Sequence, residues 1–180
     1  MFIRSWLYIA IGVIPILAHA QTGNITPGSL SMKGELIEAA CVIDPLYREQ
    51  WIEFGNISAR DIAQGSGVLL TKNFNIKLTG CALASVIKPG SYYHSANVTF
   101  TGIPDSSDNQ LLAIDGEARG FAIQLADTHG EILTLGKNTP DYALMDGDNI
   151  LNFSASLVST GRNIRAGDFY ATARFFMDYL

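Results

Sequence analysis

From residue 34 onward, short runs in which apolar and polar residues alternate are broken every ten to twenty residues by clusters of Gly, Pro, Asn, Asp and Ser. A period of two with frequent turns predicts half-buried strands rather than helices. The runs lie at 35–43, 51–54, 74–78, 97–101, 121–125, 150–157 and 169–179. Turns are expected at Gly65-Ser66-Gly67, 104–109, 127–130 and 146–149, where Gly supplies positive φ and Asp or Asn bonds its own backbone. One short helical turn fits 61–64. The pattern predicts an all-β sandwich, without repeats or a low-complexity linker.

The two ends depart from this pattern. Residues 1–20 carry Arg4, an apolar stretch and the triplet Ala18-His19-Ala20, the layout of a secretory signal peptide with cleavage after Ala20. The stretch is shorter than the roughly 20 apolar residues a spanning helix requires, and Pro15 breaks it. The next segment, 21–33, is polar and rich in small residues, with a sparse apolar row of Gly28, Leu30 and Met32. Such a segment does not hold itself as a strand without a partner. At the far end Phe169, Ala171, Ala173, Phe175, Met177 and Tyr179 alternate almost to the last residue, Leu180. Chain ends usually fray, so a patterned terminal strand is expected to be held by the core or by another protein.

Composition narrows the function. The 180 residues are 48% hydrophobic, enough for one domain with a substantial core. With 17 acidic against 12 basic residues, the latter scattered singly, the chain lacks the electrostatic footprint of a nucleic-acid or anionic-membrane binder. Export favours a disulfide between Cys41 and Cys81; a free catalytic thiol is the alternative, and a metal pair with His94 and His129 lacks ligand-like spacing. Closing a loop of about 40 residues restricts the unfolded chain by about 4 kcal/mol. No enzyme is expected: Gly65-Ser66-Gly67 is not a nucleophile elbow, and Asp146-Gly147-Asp148 lacks the remaining ligands of a calcium loop. No cofactor and no metal site are expected.

Three blocks carry a resemblance. Residues 32–44 read MKGELIEAACVID, residues 74–81 read FNIKLTGC, Gly167 stands fourteenth from the end and Tyr179 is penultimate. Taken in order, they resemble the structural pilins of chaperone-usher (type 1-like) fimbriae of Gram-negative bacteria. The resemblance implies an incomplete immunoglobulin-like β-sandwich lacking its final strand and completed by donor-strand complementation. It implies a signal peptide at 1–20, a donor-strand extension at 21–33 and a pilin domain at 34–180. Gly28, Leu30 and Met32 would face a neighbour, with Gly28 where backbones approach closely. The strand from Gly167 and Phe169 through Ala171, Ala173, Phe175, Met177 and Tyr179 to Leu180 would border the open groove and be recognised by a periplasmic pilus chaperone. The implied partners are that chaperone, an outer-membrane usher and neighbouring pilin subunits, and the implied destination, by way of the periplasm, is the cell-surface fimbria. Trp51, Tyr92-Tyr93 and Pro27 favour a minor subunit, adaptor or terminator, over the main shaft subunit.

A secreted immunoglobulin-like binding domain is the alternative, since Asn24, Asn56, Asn97 and Asn152 each open an N-x-S/T triplet. Against it, Thr79 stands where such domains place a Tyr two residues before the second Cys. A domain with its own receptor site would need an exposed cluster, for which Tyr92, Tyr93 and His94 are the aromatic candidates.

Overall fold

A computed structural model describes residues 29–35, 38–65 and 70–180. Residues 1–35 and 36–180 are separate compact units. In the first, 29–35 carry no regular secondary structure and are exposed. Gly28 lies outside the described residues.

The second unit runs β1 (Val42–Ile43), a 3-10 turn (Pro45–Tyr47), α1 (Ala59–Gln64), β2 (Thr71–Cys81), β3 (Ser95–Thr101), β4 (Asp115–Gly116), β5 (Phe121–Asp127), β6 (Tyr142–Ala143), β7 (Gly147–Ser159), β8 (Phe169–Tyr170) and β9 (Arg174–Tyr179). Local chemistry sets the two helical pieces. Asp44 caps the 3-10 turn by accepting the Leu46 N–H, and Ser58 caps α1 by accepting that of Arg60. α1 then ends at Gly65 in the left-handed conformation.

Two antiparallel sheets face each other, one ordered β1-β2-β7-β5 and the other β6-β3-β9, with β4 and β8 as a small separate ribbon. In β7, Leu151, Phe153, Ala155 and Leu157 are buried while Asn152 is exposed and Ser154 and Ser156 are half-buried, so the period of two places one apolar row inward. The register pairs Phe74 with Phe153 and Ile76 with Leu151, so inward residues of β2 and β7 stack side by side. β3 answers from the other sheet with Ala96, Val98 and Phe100, all buried. Phe100 meets Phe153 edge-on at 5.1 Å between ring centroids, and Phe153 stacks on Phe74 at 5.6 Å. Cys41 and Cys81 are both buried and joined by a disulfide that ties the approach to β1 to the end of β2.

Several expected boundaries move. The run 35–43 pairs only at Val42–Ile43 among its described residues. Residues 51–54 form no strand: Ile52 and Phe54 are half-buried and Trp51 and Glu53 exposed, so the alternation there records packing without a ladder partner. The terminal run splits, with 171–173 unpaired between β8 and β9. Residues 147–149, expected in a turn, open β7; Asp146 and Asp148 instead accept the N–H groups of Leu83 and Gly80. The two-residue strands β4 and β6 were too short to leave a period.

Candidate functional site: the open edge between the sheets

β9 pairs with β3 along one side only, and no strand among the described residues pairs with its other side. The backbone bonds fix which groups that free side presents. Leu180 and Ser95 exchange N–H···O=C bonds at 2.9 and 3.3 Å, and the register then pairs Asn97 with Asp178, Thr99 with Phe176 and Thr101 with Arg174. In an antiparallel pair every second residue turns its N–H and C=O to the partner. The main-chain groups of Phe175, Met177 and Tyr179 therefore point away from β3, to the unpaired edge. β3 agrees: Val98 and Phe100 turn theirs to the opposite side, where they meet Thr139 and Gly136.

The same three residues aim their side chains inward. Phe175, Met177 and Tyr179 are half-buried and pack on the core, alternating with exposed Arg174, Phe176 and Asp178. The inward rows of β3 and β7 are buried instead. Among the described residues, β9 thus lacks a strand on its free flank to cover its apolar row and to bond its backbone.

Across the flank lies the outer edge of β1. Ala40 accepts the Ala82 N–H and Asp44 donates to Lys77, so the even positions face β2 and Cys41 and Ile43 face away from it. The phenol of Tyr179 donates to the Cys41 carbonyl at 3.1 Å and the Arg48 Nε to the Ile43 carbonyl at 3.2 Å, so the outer edge of β1 is met by side chains and one of them bridges it to β9. Half-burial raises the Tyr179 pKa, which keeps that phenol a donor. Toward the chain start of the segment, the Phe169 ring, half-buried, lies between Phe121 at 5.0 Å and Phe54 at 6.1 Å. Gly167 is required by a close approach: a Cβ there would come 2.6 Å from that of Glu117 and 2.9 Å from the Ala118 nitrogen.

The singled-out residues do not all fall in this site. Ala171 is half-buried, but Ala173 is exposed where 171–173 leave the ladder, and the row resumes in the same phase at Phe175. Leu180 is 53% exposed, with its backbone held by His94 and Ser95. Leu30 and Met32 are 81% and 85% exposed. The aromatic triplet divides: Tyr92 is exposed, whereas Tyr93 is half-buried, with its ring 6.2 Å from that of Tyr179.

Glu38 escaped the sequence reading. Its carboxylate accepts the Ser85 hydroxyl at 2.9 Å, the Val86 N–H, the Ile87 N–H at 3.3 Å and the Tyr93 phenol at 3.2 Å. Desolvation pushes its pKa up, but these donors outweigh it and hold the carboxyl below its ordinary value. The signal was a single carboxylate inside the apolar run LIEAA.

Comparison with known proteins agrees with this geometry. The fimbrial protein family matches residues 30–180. Fimbria A protein of Serratia marcescens is 31% identical over 173 residues, covering 95% of this chain and 93% of that protein. The PAP fimbrial minor pilin protein of Escherichia coli is 28% identical over 155 residues, covering 84% of this chain and 77% of that protein. Among solved structures, the P pilus rod subunit PapA superposes with a TM-score of 0.70 at 25% identity, covering 79% of this chain and 100% of that one. The immunoglobulin-like sandwich left one strand short is the pilin fold, and the chain belongs to the fimbrial protein family, as a subunit of chaperone-usher fimbriae.

Proposed function

We propose that this subunit assembles by strand addition at the gap between β1 and β9. A periplasmic chaperone fills the gap first, and the N-terminal extension of the next subunit replaces it at an outer-membrane usher. The observation that carries the reading is the coincidence on Phe175, Met177 and Tyr179 of outward main-chain groups and half-buried inward side chains. An added strand satisfies both at once, its backbone completing the ladder and its alternate side chains covering the apolar row.

Residues 21–33 are the donor segment in this proposal, with Gly28, Leu30 and Met32 seated in a neighbour; the exposure of Leu30 and Met32 fits residues whose cover is another molecule. Residues 1–20 serve as the signal peptide and are removed on the way through the periplasm, leaving 34–180 as the pilin domain. The carboxylate of Leu180 is the anchor for basic residues of the chaperone. Relatives include both a rod subunit and a minor pilin; the preference for a minor position rests on Trp51, Tyr92-Tyr93 and Pro27.

The test is a synthetic peptide of residues 21–33 added to the purified chaperone-bound subunit. Displacement of the chaperone with a rise in melting temperature is expected; at a hundredfold excess over Kd the peptide stabilises by about 2.7 kcal/mol. A complex that keeps its chaperone and its melting temperature at every peptide concentration would refute self-complementing assembly.

A further inference from the structure

One end of the gap is closed by side chains rather than left open. Tyr179 reaches across it to the Cys41 carbonyl, the Tyr93 ring packs edge-on against the Tyr179 ring, and the Tyr93 phenol bonds to Glu38. Glu38 belongs to the same stretch as Cys41, so the contacts form a circuit from one sheet edge to the other and back. The circuit is fixed at its corners. The disulfide holds Cys41 to Cys81, and the 83–93 hairpin, closed by bonds of Tyr93 to Leu83 and Ser85 to Ser91, seats the carboxylate of Glu38 among its N–H groups. Elsewhere along the gap the free edge of β9 offers only backbone groups and the apolar side chains of Phe175 and Met177.

Main-chain bonds to a single edge do not by themselves fix a register. A strand that slides by two residues keeps its backbone bonds and its in-out phase, and it merely exchanges which side chains enter which depressions. A fixed contact at one end can choose between such registers. We propose that the Glu38, Tyr93, Tyr179 and Cys41 circuit is an end stop that fixes the register of the added strand, with Glu38 and Tyr93 as positioning residues acting through Tyr179. The end stop presupposes the strand-accepting edge proposed above. It extends that reading from where a strand binds to which of its residues occupies which position.

The experiment uses the full exported chain and the 21–33 peptide carrying a photoreactive phenylalanine analogue in place of Leu30, with attachment sites located by mass spectrometry. In the unaltered protein attachment is expected at one site on β9. In Tyr179→Phe, which removes the bridging hydroxyl but keeps the ring, and in Glu38→Gln, secondary sites two residues away should rise by about tenfold, the ratio set by one lost hydrogen bond. Tyr93→Phe should act in the same direction with the fold intact, as a circular-dichroism melt would show. A single unchanged site in all three variants, with peptide still bound, overturns the end stop and leaves the strand-accepting edge standing. Absence of attachment to β9 in the unaltered protein overturns both.

Discussion

At the scale of single residues, each polar group near the gap depends on the partners that satisfy it. Glu38 is the sharpest case, because four donors converge on one carboxylate. Its pKa is depressed in the folded chain, so it binds a proton less readily than in the unfolded chain, where a glutamate titrates near 4.3. Its contribution to stability is therefore present above that unfolded value and is lost as pH falls through the lower, folded value. Melting temperatures of the unaltered chain and of Glu38→Gln should differ most near pH 6 and converge on acidification below about 4. A difference that does not change with pH would mean that the charge of Glu38 adds nothing. Phe100 is held by apolar contact instead. It is 3% exposed and touches Phe74, Phe153 and Phe175, so Phe100→Ala should cost about 3–5 kcal/mol in denaturant titrations.

At the scale of elements, β9 differs from its neighbours in one respect: its inward row has company on one side only. Met177→Asp places a charge in that row, where an incoming strand must bury it, and burying an unpaired carboxylate is costly enough to oppose binding. Recovery of a chaperone complex from the periplasm should fall at least tenfold, while exposed Phe176→Asp should leave it unchanged. Equal losses in both variants would show that the alternation of β9 has no bearing on binding. That alternation was legible in the sequence, as were the inward rows of β2, β3, β5 and β7, because each apolar row sits opposite a packed partner and period two records the packing. Pairing was less legible. Trp51 to Phe54 alternates as cleanly as a strand and forms none, with Trp51 94% exposed. Ala173 continues the terminal row in sequence yet is exposed, whereas Ala171 in the same unpaired stretch is half-buried, so alternation alone does not say which member of the row is covered. Glu38 was illegible for a related reason: its donors lie 47 to 55 positions away, and only the folded hairpin brings them to it.

At the scale of the whole molecule, the disulfide and the two chain ends divide the labour. Cys41 sits beside the gap and Cys81 at the end of the longest pair of strands, so their bond holds the edge that faces β9 to the first sheet's centre. Replacing both by Ser removes about 4 kcal/mol of restriction on the unfolded chain, a large share of the 5–15 kcal/mol typical of a domain. Soluble periplasmic yield should fall steeply, and yield equal to that of the unaltered chain would show that the bond is dispensable. The ends carry a separate prediction, because the gap lies wholly within 36–180 while the proposed donor lies in 21–33. A subunit without 21–33 keeps Phe175, Met177 and Tyr179, and hence everything a chaperone strand would pair with. On the proposed roles it has nothing to offer the gap of another subunit. Deletion of 21–33 should therefore leave the chaperone complex at its normal level and abolish incorporation into fibres grown behind it, a separation read by pull-down from the periplasm and by immunogold labelling of the surface. Loss of the chaperone complex in the deletion would mean that the accepting and donating roles have been assigned to the wrong ends, since only a segment that takes part in accepting a strand is needed at that step.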